Sequence, residues 1–322
     1  MIKKKIAVVF GAKGLAGSAI VRQFKDVYFD VYEITHDMCD ASNFQSVCDT
    51  LACLVRTPDV VVNCIAYSTV DIKNDEEAYK SYIANTVVPT KIGAACIRFK
   101  VPLLIHLSTD YVFNRMEADK IEAENQTYSP ANVYGRCKLA GDMSLVGMYD
   151  NWNFRNEDDP LKLRIVRTSS LYGPDRKTFV DYVVDEYLRG GTIKALVSGD
   201  SIPTSTRYLS KYVVDLVGRE IDKKEEISNP SRYFRNCVCS SSDWVAISIS
   251  RFLFARKISE HLRDFNVPGQ LELCVAKDRD FVALRPLHSR LEPSTDGPTP
   301  PDWDEELSDF LCEKLDKMGL LK

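Results

Sequence analysis

Apolar residues fall along the first half of the chain in two alternating rhythms. Short unbroken runs, Ile6-Ala7-Val8-Val9-Phe10, Phe29 to Thr35, Asp59 to Ile65, Leu103 to Ser108 and Lys162 to Arg167, read as strands buried on both faces. Between them apolar residues recur at helical spacing. Ala19, Ile20, Val21 and Phe24 form one such stripe, and Phe44, Val47, Cys48, Leu51, Leu54 and Val55 a second. Glu76 to Arg98 and Asn132 to Met148 read as two further helices. Strand and helix in repeated alternation predict an α/β fold with a doubly wound parallel sheet covered on both sides. Two hydrophilic stretches, Glu117 to Pro130 and Tyr149 to Pro160, read as solvated loops. Beyond Tyr172-Gly173-Pro174 the rhythm becomes irregular, until prolines 293, 298, 300 and 301 lead into a helix over Asp304 to Leu315.

The first strand runs directly into Gly11-Ala12-Lys13-Gly14-Leu15-Ala16-Gly17. Glycines at such a strand-to-helix turn let backbone amides approach a pyrophosphate, and the helix that follows turns its positive end toward the anion. The loop by itself is a weak signal, since glycine also serves turn geometry. Its setting makes it a Rossmann dinucleotide cradle built from Gly11, Lys13, Gly14, Leu15 and Gly17. The expected division is a dinucleotide-binding domain over 1–170, completed by segments near 205–240, and a smaller substrate lobe over 171–322.

Composition narrows the choice. At 322 residues the chain is long enough for a large core and two lobes. A net charge of −4 gives no basic footprint for nucleic acid. No apolar run is long enough to span a bilayer, and the first strand starts too near Met1 to leave room for a signal peptide. The ten cysteines show no C-x-x-C spacing and read as reduced core residues of a cytoplasmic protein, with no metal site expected.

Two further motifs carry chemistry. Thr109 stands in Ser108-Thr109-Asp110-Tyr111-Val112-Phe113, at the end of a strand, and Tyr134 opens Tyr134-Gly135-Arg136-Cys137-Lys138, at the start of a helix. Reduction of a carbonyl by a nicotinamide needs a proton at the developing alkoxide, which the Tyr134 phenol can supply. Lys138, four residues on, shares its helix face and favours the phenolate left behind. Thr109 would hold the carbonyl oxygen. A lone Y-x-x-x-K is ordinary on a surface helix; its pairing with the strand motif and the glycine loop makes these three residues the expected catalytic group. Arg285 is preferred over His288 as an anion ligand, because its planar fork matches phosphate oxygens.

Together these motifs resemble the extended short-chain dehydrogenase/reductases, and within them the dTDP-4-dehydrorhamnose reductase branch. The likeness covers nearly the whole chain. Asn63-Cys64-Ile65-Ala66-Tyr67-Ser68-Thr69-Val70-Asp71 is similar to a segment that runs over the cofactor and borders the sugar. The Ser108 and Tyr134 motifs, Arg167-Thr168-Ser169, Ile202-Pro203-Thr204 and Arg285-Pro286 follow in the family's order. The resemblance implies that Asn63, Ala66 and Tyr67 border the cofactor, with Tyr134 and Lys138 also touching it. It implies that Thr69, Val70, Asp110 and Tyr111 border the sugar, and that Asn85 helps to place Lys138. The implied activity is reduction of the 4-keto group of a nucleotide-linked 6-deoxyhexose on the route to activated L-rhamnose. Tyr111, rather than an acid, follows Asp110, so dehydration lacks its second carboxylate.

Two departures matter. Ser170 stands where the reductases usually carry tryptophan in the substrate site, which leaves the particular sugar nucleotide open. Ala19 replaces a glutamate implicated in a metal-linked dimer of some members, so that dimer is not expected, and a homodimer of another kind or a partner enzyme stays open. Thr35 lies where NAD-specific relatives place an acid, and His36 follows; with Lys13 these favour NADPH, NADH remaining an alternative. A second reading is a non-catalytic NADP-binding subunit similar to the regulatory β-subunit of methionine adenosyltransferase.

Overall fold

The computed structural model describes residues 4–114, 127–199, 201–221, 233–240 and 249–321. Its first half alternates as the apolar rhythm requires: β1 (Ile6–Phe10), α1 (Leu15–Asp26), β2 (Asp30–Ile34), α2 (Phe44–Ala52), β3 (Val60–Asn63), α3 (Asp75–Tyr82), α4 (Val88–Arg98), β4 (Leu103–Thr109), α5 (Val133–Arg155) and β5 (Lys162–Thr168). There follow β6 (Leu171–Tyr172), α6 (Phe179–Arg189), β7 (Thr192–Ala195), β8 (Thr204–Ser205), α7 (Thr206–Ile221), β9 (Phe234–Asn236), α8 (Arg251–Asp264), β10 (Glu272–Val275) and α9 (Trp303–Lys317).

Six strands form one parallel sheet in the order β2-β1-β3-β4-β5-β9. Every residue of β1, β3, β4 and β5 is buried, as strands covered on both faces require, whereas the edge strand β2 is mostly not. One hydrophobic cluster fills the face that carries Val9, Val62 and Ile105 and continues to Trp303 and Leu311 of α9. A second fills the opposite face around Phe10, Val61 and Leu104. The sheet order reverses between β1 and β3, so the carboxyl ends of these strands splay apart and open a crevice. Gly11, Asn63 and Thr109 stand at three such ends. β7 and β10 pair separately, as do β6 and β8, beyond the main sheet. Among the described residues no helix is long and apolar enough to cross a membrane.

Two expected elements are modified. The helix expected over Glu76 to Arg98 runs without a gap from Asp75 to Arg98 but contains a π-helical turn, Ile83–Val87, in which Asn85 is buried. The hydrophilic stretch after Met148 is not a loop from Tyr149: α5 continues to Arg155, because Tyr149 and Asn153 fall on its buried face. Asn153 donates to the carbonyl of Leu161 at 3.0 Å and accepts from its amide at 2.9 Å, tying the helix end to β5. The loop expected over Glu117 to Pro130 lies largely outside the described residues.

Candidate active site

The glycine loop is built on close backbone approach. Gly11 adopts φ +76°, a left-handed conformation, and a β-carbon on Gly17 would stand 2.1 Å from the carbonyl oxygen of Gly11. The first turn of α1 therefore sits directly under the loop, and a helix leaves the amides of its first turn without intrahelical partners. A cavity of about 520 Å³ opens beside it, lined among others by Gly11, Lys13, Gly14, Thr35, His36 and Ala66. A loop that excludes even a methyl group, above a cavity of that size, fits a dinucleotide. Leu15 opens α1 and Gly17 is buried behind the loop.

Of the residues expected beside the cofactor, Asn63 is held through its side chain and Tyr67 through its backbone. Asn63 is buried; its Oδ1 accepts from the amide of Ile65 at 3.0 Å, and its Nδ2 contacts Nδ1 of His106 at 3.1 Å. It shapes the turn after β3 from beneath. Tyr67 is held by Asn85, whose Oδ1 accepts from the Tyr67 amide at 3.2 Å and whose Nδ2 donates to the Tyr67 carbonyl at 3.0 Å. Asn85 also donates to Ser81, so its hydrogen bonds clamp Tyr67, whereas the family likeness gives it to Lys138.

Thr109, Tyr134 and Lys138 converge at the end of β4. Asn132 caps α5 by accepting from the Gly135 amide at 2.9 Å. A β-carbon on Gly135 would lie 2.2 Å from the Tyr111 carbonyl oxygen, so the start of α5 rests on the backbone that follows Thr109. The rings of Tyr111 and Tyr134 meet edge to face at 5.7 Å. Burial raises the Tyr134 pKa well above that of a free phenol, and a hydrogen bond with Thr109 opposes the rise. The phenol is thus neutral across ordinary pH, the state in which it can give up a proton.

Lys138 is 1% exposed and donates through Nζ to the Leu107 carbonyl at 2.6 Å. Burial lowers its pKa to about 8, against the pull of Asp142 and Cys64. Asp142, one turn further along α5, accepts from Ser108 at 2.6 Å and lies 3.5 Å from Nε2 of His106. Burial, with the Lys138 charge, pushes His106 down to about 4, so its imidazole is neutral. His106 belongs to the buried support of the site.

The expected sugar-binding residues divide into two groups. Thr69 is exposed and Val70 half-buried, ahead of Asp71. Asp71 accepts from the amides of Val282 and Ala283 at 3.1 and 3.0 Å and pairs with Arg285. Burial would raise the Asp71 pKa, yet Arg285 and the two amides hold it below the ordinary carboxylate value. Arg285 also donates to the Ala283 carbonyl and lies over the Phe281 ring at 5.2 Å. Expected as an anion ligand, Arg285 here also clasps the segment after β3 to the segment of residues 282–285. Asp110 is 1% exposed and accepts from Thr109 at 3.0 Å, Ser169 at 2.8 Å and Ser289 at 2.9 Å, so it knits the floor instead of facing the crevice. Ser170 has φ +44° and donates to the Ser201 hydroxyl at 2.7 Å. The pattern did not indicate Arg251, whose charge acts on both Tyr111 and Asp110, or Arg176, which lines the dinucleotide cavity.

A family model described as the RmlD substrate binding domain matches residues 5–315. A Streptomyces antibioticus protein named as a probable dTDP-4,6-dihydroxy-2-methyloxan-3-one 4-ketoreductase is 30% identical over 212 residues, 66% of this chain and 66% of that protein. The dTDP-4-dehydrorhamnose reductase of Mycolicibacterium smegmatis is 31% identical over 213 residues, 66% of this chain and 58% of the relative. These two alignments thus span less than two thirds of the relatives' own length. The crystal structure of a Bacillus anthracis dTDP-4-dehydrorhamnose reductase in complex with NADP shares the fold, with a TM-score of 0.78 over 97% of this chain and 100% of that one, at 22% identity.

Proposed function

Because the chain belongs to the RmlD substrate binding domain family, we propose that it is a cytoplasmic reductase of sugar nucleotides. It reduces the 4-keto group of a nucleotide-linked 6-deoxyhexose with NADPH, NADH serving as a second donor. The observation that supports this most is the gathering of Thr109, Tyr134 and Lys138 at one strand end, beside a glycine cradle too tight for a β-carbon.

When bound, a reduced nicotinamide supplies the hydride. Thr109 orients the keto oxygen through its hydroxyl. Tyr134, kept neutral by burial, gives its phenolic proton to that oxygen as negative charge develops there. Lys138 stabilises the phenolate electrostatically while protonated, and its pKa near 8 places its own titration at the edge of the working range. The Asp71–Arg285 clasp joins the loop after β3 to the 282–285 segment, so one wall of the sugar site comes from residues far apart in sequence. Asp110 fixes the floor on which Thr109 stands.

Tyr134→Phe tests the reading. Loss of nicotinamide absorbance is followed with a dTDP-linked 4-keto-6-deoxysugar. The expected fall in kcat is about 10² to 10⁴ with cofactor affinity unchanged, the range that positioned acid catalysis contributes. Turnover unaffected by the loss of the hydroxyl would overturn the assignment. The regulatory-subunit reading draws on Ser170 in place of tryptophan; it requires no turnover in the unaltered chain together with tight binding to an adenosyltransferase.

A further inference from the structure

We propose that Arg176 is a specificity-determining residue for the cofactor, reaching the glycine loop from beyond β6 and joining Lys13 in holding an adenosine 2′-phosphate. The inference rests on the reading of the crevice as a nicotinamide dinucleotide site, and goes beyond it by assigning the choice between NADPH and NADH to a residue of the later half of the chain.

Arg176 stands between β6 and α6 and is 163 residues from Lys13 in sequence. Its turn is fixed in place by its neighbour. Asp175 takes a two-pronged pair from Arg22 of α1, at 2.6 and 2.8 Å. So anchored, Arg176 donates through Nε and Nη2 to the Lys13 carbonyl at 3.1 and 3.0 Å. These bonds use one edge of the guanidinium and leave the Nη1 side for another acceptor. Arg176 and Lys13 are both exposed, and both line the dinucleotide cavity.

The lining contributed by the segment after β2 is consistent with an anion. An acid after β2 accepts from both ribose hydroxyls and repels a 2′-phosphate; here that position is Thr35, followed by His36. Of the nearby carboxylates, Asp40 is engaged by the amide and hydroxyl of Ser42, at 3.0 and 2.6 Å. Asp37 opposes the binding, but two cations, Lys13 and Arg176, line the same cavity. A guanidinium offers a phosphate paired N–H donors that a diol does not need.

A purely structural Arg176, which only braces the loop through the Lys13 carbonyl, makes a different prediction. Loosening the loop would weaken every dinucleotide alike. The test is calorimetric titration of the full chain and of Arg176→Gln with NADP⁺, NAD⁺, adenosine 2′,5′-bisphosphate and 5′-AMP. Loss of a charge-assisted contact is expected to weaken NADP⁺ and the bisphosphate by about 10- to 100-fold, with NAD⁺ and 5′-AMP changed by about twofold or less. Lys13→Gln should act in the same direction. An equal loss for NADP⁺ and NAD⁺ in Arg176→Gln overturns the proposal, as does an unaltered chain that binds the two equally, and both results leave the nicotinamide reading standing. Failure of the unaltered chain to bind any of the four ligands overturns that reading as well.

Discussion

The carbonyl oxygen of Tyr111 lies 2.2 Å from where a β-carbon on Gly135 would stand. Backbone, not a pliable side chain, blocks the position, and it is the backbone that carries Thr109 toward the phenol of Tyr134. Gly135→Ala must push α5 away from the end of β4. Overpacking of this kind costs about 1–3 kcal/mol, readable by denaturant unfolding. The displacement separates Tyr134 from Thr109, so kcat should fall by more than the stability loss alone accounts for, while the dinucleotide binds as before. Full turnover in a folded Gly135→Ala protein would contradict this.

Lys138 gives a prediction with a defined pH window. Burial holds its pKa near 8, below the ordinary value of 10.5. The native state thus carries the whole cost of a buried ammonium below pH 8. Between pH 8 and 10.5 the unfolded chain binds more protons than the native one, so stability rises with pH across that interval, and the contribution is complete above it. Relative to Lys138→Met, which lacks the group, the unaltered protein should gain stability between pH 8 and pH 10. Activity should move the other way, with kcat falling above pH 8 as the ammonium that favours phenolate is lost. Denaturant unfolding at pH 7 and pH 10, and kcat over the same range, check both halves.

The parallel sheet was legible because burial on both faces leaves unbroken apolar runs, as in Val60 to Val62 and Leu103 to Leu107. The convergence of Thr109 and Tyr134 was legible because a strand end and a helix start each leave a local pattern. What escaped was of two kinds. Tyr149 and Asn153 extend α5 although their neighbours are hydrophilic; the helix is held there by tertiary bonds to Leu161, which composition does not reveal. Arg285 and Asp71 are 214 residues apart, and Arg176 and Lys13 are 163 apart, so no spacing rule connects them. Asp110 shows a third difficulty: a carboxylate in a functional motif can serve as a buried acceptor for three hydroxyls instead of meeting a ligand.

The clasp between Asp71 and Arg285 predicts a selective defect. Asp71→Asn keeps the shape but weakens the hold on the Val282 and Ala283 amides and on the guanidinium. None of these residues lines the cavity beside Gly11, and the proposed function assigns them to the sugar site. KM for the sugar nucleotide should rise by about tenfold, the scale of one charge-assisted hydrogen bond, with the dinucleotide dissociation constant little changed. A comparable loss in both ligands would mean that the clasp supports the fold as a whole.

Asn85 offers a test of two different supports for the same chemistry. The family likeness gives it to Lys138, whereas its amide group engages both the N–H and the C=O of Tyr67. Asn85→Ala would leave these two part-buried backbone groups without their partner, at a cost of about 1–3 kcal/mol. The segment from Ile65 to Asp71 would loosen, and kcat/KM should fall with it. The alkaline limb of the kcat profile, set by Lys138, should stay where it is, because the hydrogen bond from Lys138 to Leu107 and the nearby charge of Asp142 are untouched. A limb displaced in Asn85→Ala would instead tie Asn85 to the ammonium and return it to the role the family likeness implies.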